Sequence, residues 1–124
     1  MAETTSDRAK SETSDVEIRG YHAHVYFGPG SAAEARALYE RIPAAFPKAA
    51  LGRFHERPVG PHPAWTYQIA FGPEQFGTIV PWLATQRGGL DVLVHGLSGD
   101  DIRDHTALTM WLGRSHSLDL SALS

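Results

Sequence analysis

The chain has 124 residues, 42% hydrophobic and 20% charged, which fits one folded domain and leaves little room for two. A formal net charge of -3 supplies no basic field for phosphates, and no Lys/Arg run interleaves with aromatics, so nucleic acid is not an expected partner. Cysteine is absent, which excludes disulfides, thiolate nucleophiles, zinc fingers and iron–sulfur clusters and leaves nitrogen and oxygen as the only metal donors.

The start of the chain is polar and rich in Ser, Thr and Glu, with no apolar run suited to a secretion signal or a bilayer span. The expectation is a frayed tail over residues 1–17 and one domain over 18–124, soluble in the cytoplasm and without a membrane partner. Tyr21-His22-Ala23-His24-Val25-Tyr26-Phe27 then alternates as a first strand, with Tyr21, Ala23, Val25 and Phe27 on one face and His22, His24 and Tyr26 on the other. Gly28-Pro29-Gly30 ends it. Ser31 and Glu34 form a capping-box pattern before Ala35, Leu38, Tyr39 and Ile42, which predicts a first helix closed by Pro43 or Pro47.

Residues 51–57 read as a second strand, Gly60-Pro61-His62-Pro63 as a loop, and 65–71 as a third strand. Pro73 at an N1 position, then Phe76, Ile79, Val80 and Leu83 with Gly88-Gly89 beyond, mark a second helix that contains Pro81. Residues 90–95 form a fourth strand. Ser98-Gly99-Asp100-Asp101 leads into a last helix ending near Gly113, and residues 117–120 have room for a short strand. Trp65, Trp82 and Trp111 are assigned to the core, with an aromatic pocket wall as the alternative reading.

The order β-α-β-β-α-β predicts an α+β, ferredoxin-like fold with an extra C-terminal helix, its helices on one face of a four-stranded antiparallel sheet of strand order 4-1-3-2. The other face is expected to be left free, carrying Tyr26 and Leu93, and to be covered by a second copy in a homodimer.

Seven histidines are present, and alternation decides where they point. With Ala23, Val25, Val92 and Val94 facing the helices, His22, His24 and His95 share the opposite face. His22 and His24 stand about 7 Å apart at their Cα atoms. The end of the fourth strand meets the start of the first, which gathers the three imidazoles as candidate metal ligands with Gln68 as a polar neighbour. Solvated surface histidines, or members of a dimer interface, are the alternative reading. His62 sits in a proline-stiffened loop that this topology places at the far end of the first strand, so a bend or a partner subunit is needed to bring it to the cluster. Asp104 either caps the last helix or orients a neighbouring imidazole, His105 among them. His55, with Arg53 and Arg57, forms a cationic strip that either faces solvent or takes a substrate carboxylate. His116 is given no role.

Tyr21-His22-Ala23-His24-Val25-Tyr26-Phe27, Gly60-Pro61-His62-Pro63, Leu93-Val94-His95 and Asp104-His105-Thr106 followed by Trp111-Leu112-Gly113 together resemble the DOPA 4,5-dioxygenase family, in that family's order and over most of the chain. The resemblance implies extradiol opening of a catechol such as DOPA by O₂ at a non-haem ferrous ion, although another divalent metal can occupy such a site in purified protein. A small aromatic diol and O₂ are then the partners. Ferrous centres of this kind commonly take two histidines and a carboxylate. The carboxylate is missing from the reading, since Glu56 is expected on the helix side, Asp91 lies well along the strand and Asp104 is a possible cap. Within the resemblance, His62 and His105 are the candidates for carrying the catechol proton, and Arg53, His55 and Gln68 for holding the substrate.

A non-catalytic dimeric protein that binds a ligand or metal on the same face is the alternative. A cofactor-free monooxygenase is a third possibility, for which a knot of histidines is unnecessary.

Overall fold

The alternation of the first strand divides the molecule into two faces, and a computed structural model describing residues 15–123 bears this out. Residues 1–14 of the expected tail, and Ser124, lie outside the described residues. In strand β1 (Gly20–Phe27), Ala23, Val25 and Phe27 enter an apolar core. Tyr67, Ile69 and Phe71 of β4 (Trp65–Phe71) join them, as do Val92 and Val94 of β5 (Asp91–Leu97). Against these pack Ala35, Leu38 and Ile42 of helix α1 (Ala32–Ala45) and Ile79 and Leu83 of α2 (Phe76–Gln86). The Tyr67 hydroxyl, buried in this layer, donates to the Ala35 carbonyl at 3.2 Å, so it is not left unpaired.

The sheet is antiparallel throughout, with β5 and β4 flanking β1 in the expected order. It has six strands, not four. The expected second strand is broken at Gly52 to Phe54 into β2 (Ala50–Leu51) and β3 (His55–Pro58), both pairing with β4. The expected long last helix is instead a single turn, α3 (Asp101–Asp104), and the chain then returns as β6 (Thr109–Leu112) on the outer edge of β5. Thr109-Met110-Trp111-Leu112 has strand propensity that a helical reading overrode. Residues 117–120 add no strand, and the described chain ends in a 3₁₀ turn, Leu120–Leu123.

Two local expectations change with the side chains. Glu34 does not close a capping box with Ser31; its Oε1 accepts from the Gly89 N–H at 2.9 Å and ties the start of α1 to the turn after α2. Of the two prolines expected to close α1, Pro47 follows its C-cap Phe46, whereas Pro43 lies inside the helix and forgoes the N–H bond to the carbonyl one turn back.

The second face is not free. His24, Tyr26, Thr66, Leu93 and His95 are all buried within the single chain. The loop between β3 and β4 folds over them, and so does the segment after β6, which Gly113 redirects with a φ of 87°. The Asp119 N–H donates to the Pro61 carbonyl at 2.8 Å and joins the two covers. Trp111, expected in the core, stands on this side against Tyr26, with ring centroids 5.4 Å apart. The exposure of Tyr26 and Leu93 that argued for a second copy is therefore absent. Among the described residues no helix is long and apolar enough to cross a membrane.

Candidate metal centre

His22 and His95 face each other directly in the β1–β5 ladder, and His24 lies two residues further along β1 on the same side. Side chains of the pleat therefore converge without any loop having to carry them. One ligand nitrogen from each of the three lies within 4.8 Å of the others, and among the described residues these three form the only such group. The Nε2 atoms of His24 and His95 are 3.0 Å apart. His95 Nδ1 donates to the Gly96 carbonyl at 3.0 Å, since a carbonyl only accepts, and this leaves its Nε2 with a bare lone pair turned to the cluster.

Two more imidazoles complete the group. Gly60, at φ 61°, and the Val59–His62 turn bend the proline-rich loop back over the sheet. His62 thereby comes within 4.2 Å of His24, ring centre to ring centre, and within 2.7 Å of the Tyr26 hydroxyl through Nδ1. Of the two routes expected to bring His62 to the cluster, a bend or a partner subunit, the loop supplies the bend. His105, at the end of α3, lies 4.2 Å from His95, ring centre to ring centre and tilted by 44°, and its Nδ1 meets the Asp101 carbonyl at 2.7 Å.

Burial and mutual repulsion favour the neutral form of His22, His24, His62 and His95. Desolvation lowers His24 well below its ordinary value, with His62, His95, His22 and His105 adding to the effect. Burial likewise takes His62 and His95 down to about 4, and lowers His22, assisted by His105. Neutral imidazoles are what a metal requires, because a proton and an ion compete for the same lone pair.

The carboxylates are placed differently. Asp104 is buried, and its Oδ1 accepts from both the backbone N–H and the hydroxyl of Ser98, so it pins the β5–α3 turn; Asp100 is the cap, accepting from the Arg103 N–H at 3.1 Å. Its charge still acts on the cluster, raising His22 and His95 against the effect of burial. Asp91 is taken by the Arg114 N–H at 2.8 Å and by His116 at 2.9 Å. Glu56 is exposed. The arrangement therefore offers three histidines and no carboxylate in the same set.

A cleft of about 280 Å³ opens beside the cluster. His22, His24, His62 and His105 line it, and His55 and Gln68 form part of its wall. Arg53, in the interruption between β2 and β3, is exposed and is not among the lining residues. Sequence reasoning overlooked Tyr26 as the partner of His62, Asp101 as a lining residue, and His116 as the residue that holds Asp91 and packs against Tyr26 at 4.9 Å. The alternation that put Tyr26 on the histidine face was the one signal available for it.

The family model of the Dopa 4,5-dioxygenase family matches residues 21–122. The chain is 42% identical over 123 residues to an uncharacterised 21.2 kDa protein of Botryotinia fuckeliana, covering 90% of this chain and 67% of that one. It is 37% identical over 117 residues to a DOPA 4,5-dioxygenase of Amanita muscaria, covering 88% of this chain and 51% of the other, so it spans about half the length of that relative. A crystal structure of a candidate dioxygenase from Nostoc punctiforme matches with a TM-score of 0.82 and 45% identity, covering 86% of this chain and 91% of that one.

Proposed function

Because the chain belongs to the Dopa 4,5-dioxygenase family, we propose that it is a metal-dependent extradiol dioxygenase acting on a small catechol, with DOPA as the first compound to try. The observation that carries this reading is the set of three imidazoles from β1 and β5 whose ligand nitrogens lie within 4.8 Å of one another, two of them, His22 and His24, lining a cleft. The donor set fits a divalent first-row ion. Two nitrogens each about 2.1 Å from one ion and at right angles to each other are about 3.0 Å apart, which is the separation of His24 and His95. Bound there, ferrous iron would supply open positions at which both diol oxygens and O₂ can meet.

The chain's own residues do the rest. His22, His24 and His95 hold the ion, and the cleft admits a flat ring alongside them. His62 and His105 stand at the cleft wall, within reach of a diol proton that must leave before ring opening and be returned afterwards. His55 and Gln68 contact the substituent of the ring. Both atoms of O₂ enter the ring-opened product, so the reaction needs no external reductant.

The test is anaerobic loading with Fe(II), measurement of bound metal, and then admission of O₂ in the presence of catechols, followed by O₂ uptake and a yellow product. Stoichiometric O₂ uptake is expected. Protein with verified ferrous occupancy that consumes no O₂ with any of a panel of catechols would replace this reading with that of a metal- or ligand-binding protein. The direct His24–His95 contact at 3.0 Å gives that second reading its footing, since the pair is satisfied by a hydrogen bond when no ion is bound.

A further inference from the structure

Five imidazoles share one face, and something must distinguish the ones that bind metal from the ones that move protons. For His62 and His105, the two outside the ligand set, the partner of Nδ1 settles which nitrogen carries the hydrogen. Tyr26 is 3% exposed, and its hydroxyl has one partner, His62 Nδ1 at 2.7 Å. A phenol is protonated at neutral pH and carries one donor. If His62 Nδ1 donated instead, the buried phenolic proton would be left without an acceptor, at the cost of a desolvated, unmade hydrogen bond. The phenol therefore donates, Nδ1 accepts, and the proton of neutral His62 sits on Nε2. No buried side-chain nitrogen or oxygen among the described residues lacks a partner, and none pairs with His62 Nε2, so this N–H reaches the open cleft that His62 lines.

His105 is the reverse. Its Nδ1 is 2.7 Å from the Asp101 carbonyl, which has no proton to give. Nδ1 must carry the hydrogen, and Nε2, which has no hydrogen-bond partner among the described residues, keeps a bare lone pair; His105 lines the same cleft as His62. The two rings are 6.3 Å apart, centre to centre.

We propose that the cleft is built with fixed and opposite tautomers, His62 as hydrogen donor and His105 as proton acceptor, and that Tyr26 is the positioning residue that sets His62. This rests on the dioxygenase reading for its catalytic meaning, in which His105 takes the diol proton and His62 donates toward the oxygen side of the reaction. It does not rest on that reading for the tautomers themselves.

The experiment is long-range ¹H–¹⁵N correlation of the imidazole side chains in the metal-free protein near pH 7.5, for wild type and Tyr26→Phe. In wild type the ¹⁵N shifts should place His62 in the Nε2–H form and His105 in the Nδ1–H form. In Tyr26→Phe the His62 shifts should move toward the averaged values of a mixed tautomer while those of His105 stay put. A wild-type His62 in the Nδ1–H form overturns the proposal even if the variant does not fold, and so does a His62 unchanged by Tyr26→Phe. With Fe(II) bound, Tyr26→Phe should keep its metal content and lower kcat by about 10- to 100-fold with little change in KM, the usual effect of removing an orienting partner. A wild-type protein inactive toward catechols yet carrying both tautomers would refute the dioxygenase reading and leave the Tyr26 assignment standing.

Discussion

His24 and His95 are separated by 71 residues in the chain, yet their Nε2 atoms stand 3.0 Å apart across the β1–β5 pair. Two basic nitrogens at that distance must share either a proton or a cation. The first keeps the metal-free site intact, and the second makes it a centre. Replacing His95 or His24 by Ala should therefore lower bound divalent metal, measured by elemental analysis after dialysis, from about one per chain toward zero. Full metal content in His95→Ala would require a different ligand set.

Stability should depend on pH in the window where the buried rings refuse protons. His62 and His95 titrate near 4 in the folded chain against an ordinary value of 6.5, and His24 and His22 are lowered as well. The unfolded chain thus binds protons that the native one does not as pH falls below 6.5, and stability is lost from there down to about 4, by about 1.4 kcal/mol per pH unit for each proton taken up. Urea midpoints of the metal-free protein at pH 7.5, 6 and 5 should fall stepwise. A flat profile across that range would show that the rings are solvated.

Proton carriers and ligands should fail differently. His62→Ala and His105→Ala should retain metal while slowing catechol turnover by roughly 10² to 10⁴, the typical worth of a general acid or base. Turnover unchanged in both, with the metal in place, would remove them from the mechanism. His116→Ala serves as the contrast, since His116 holds Asp91 at the start of β5, and it should alter thermal stability while leaving metal content near one.

How far these residues were legible in the chain follows from which interactions place them. Strand alternation alone puts His22, His24 and His95 on one face, and the β-α-β-β-α-β order makes β1 and β5 neighbours, so the cluster could be read before any coordinates. His62 could not. Its position depends on the irregular pairing between His55 and Pro58 and on a left-handed Gly60, neither of which has a periodic signature. The cover over the second face was hidden for a similar reason. β6 is four residues long and follows a one-turn helix, so its pattern merged with the helical one, and the segment beyond it is held by isolated contacts such as Asp119 to Pro61. Asp104 looked like a cap because Asp100 and Asp104 both lie near the start of a helix, and only the position of Ser98 separates their roles.

Asp104 offers a test that separates structural from electrostatic contributions at one position. It is 2% exposed, and both of its bonds, from the Ser98 N–H and the Ser98 hydroxyl, land on the same oxygen, Oδ1. Asp104→Ala leaves a buried N–H and a hydroxyl without their acceptor and should destabilise the fold by about 1–3 kcal/mol in chemical denaturation. Asp104→Asn retains an oxygen at that point and should recover most of the loss. The charge is not recovered. The carboxylate raises the proton affinity of His22 and His95, and a field that favours a proton there also favours a divalent cation. Both variants should therefore bind metal several-fold more weakly than wild type, in a competition assay with a chelator at fixed pH. Asp104→Asn with wild-type stability and wild-type metal affinity would reduce Asp104 to the turn it pins, and would leave the three histidines to hold the ion without help from any nearby negative charge.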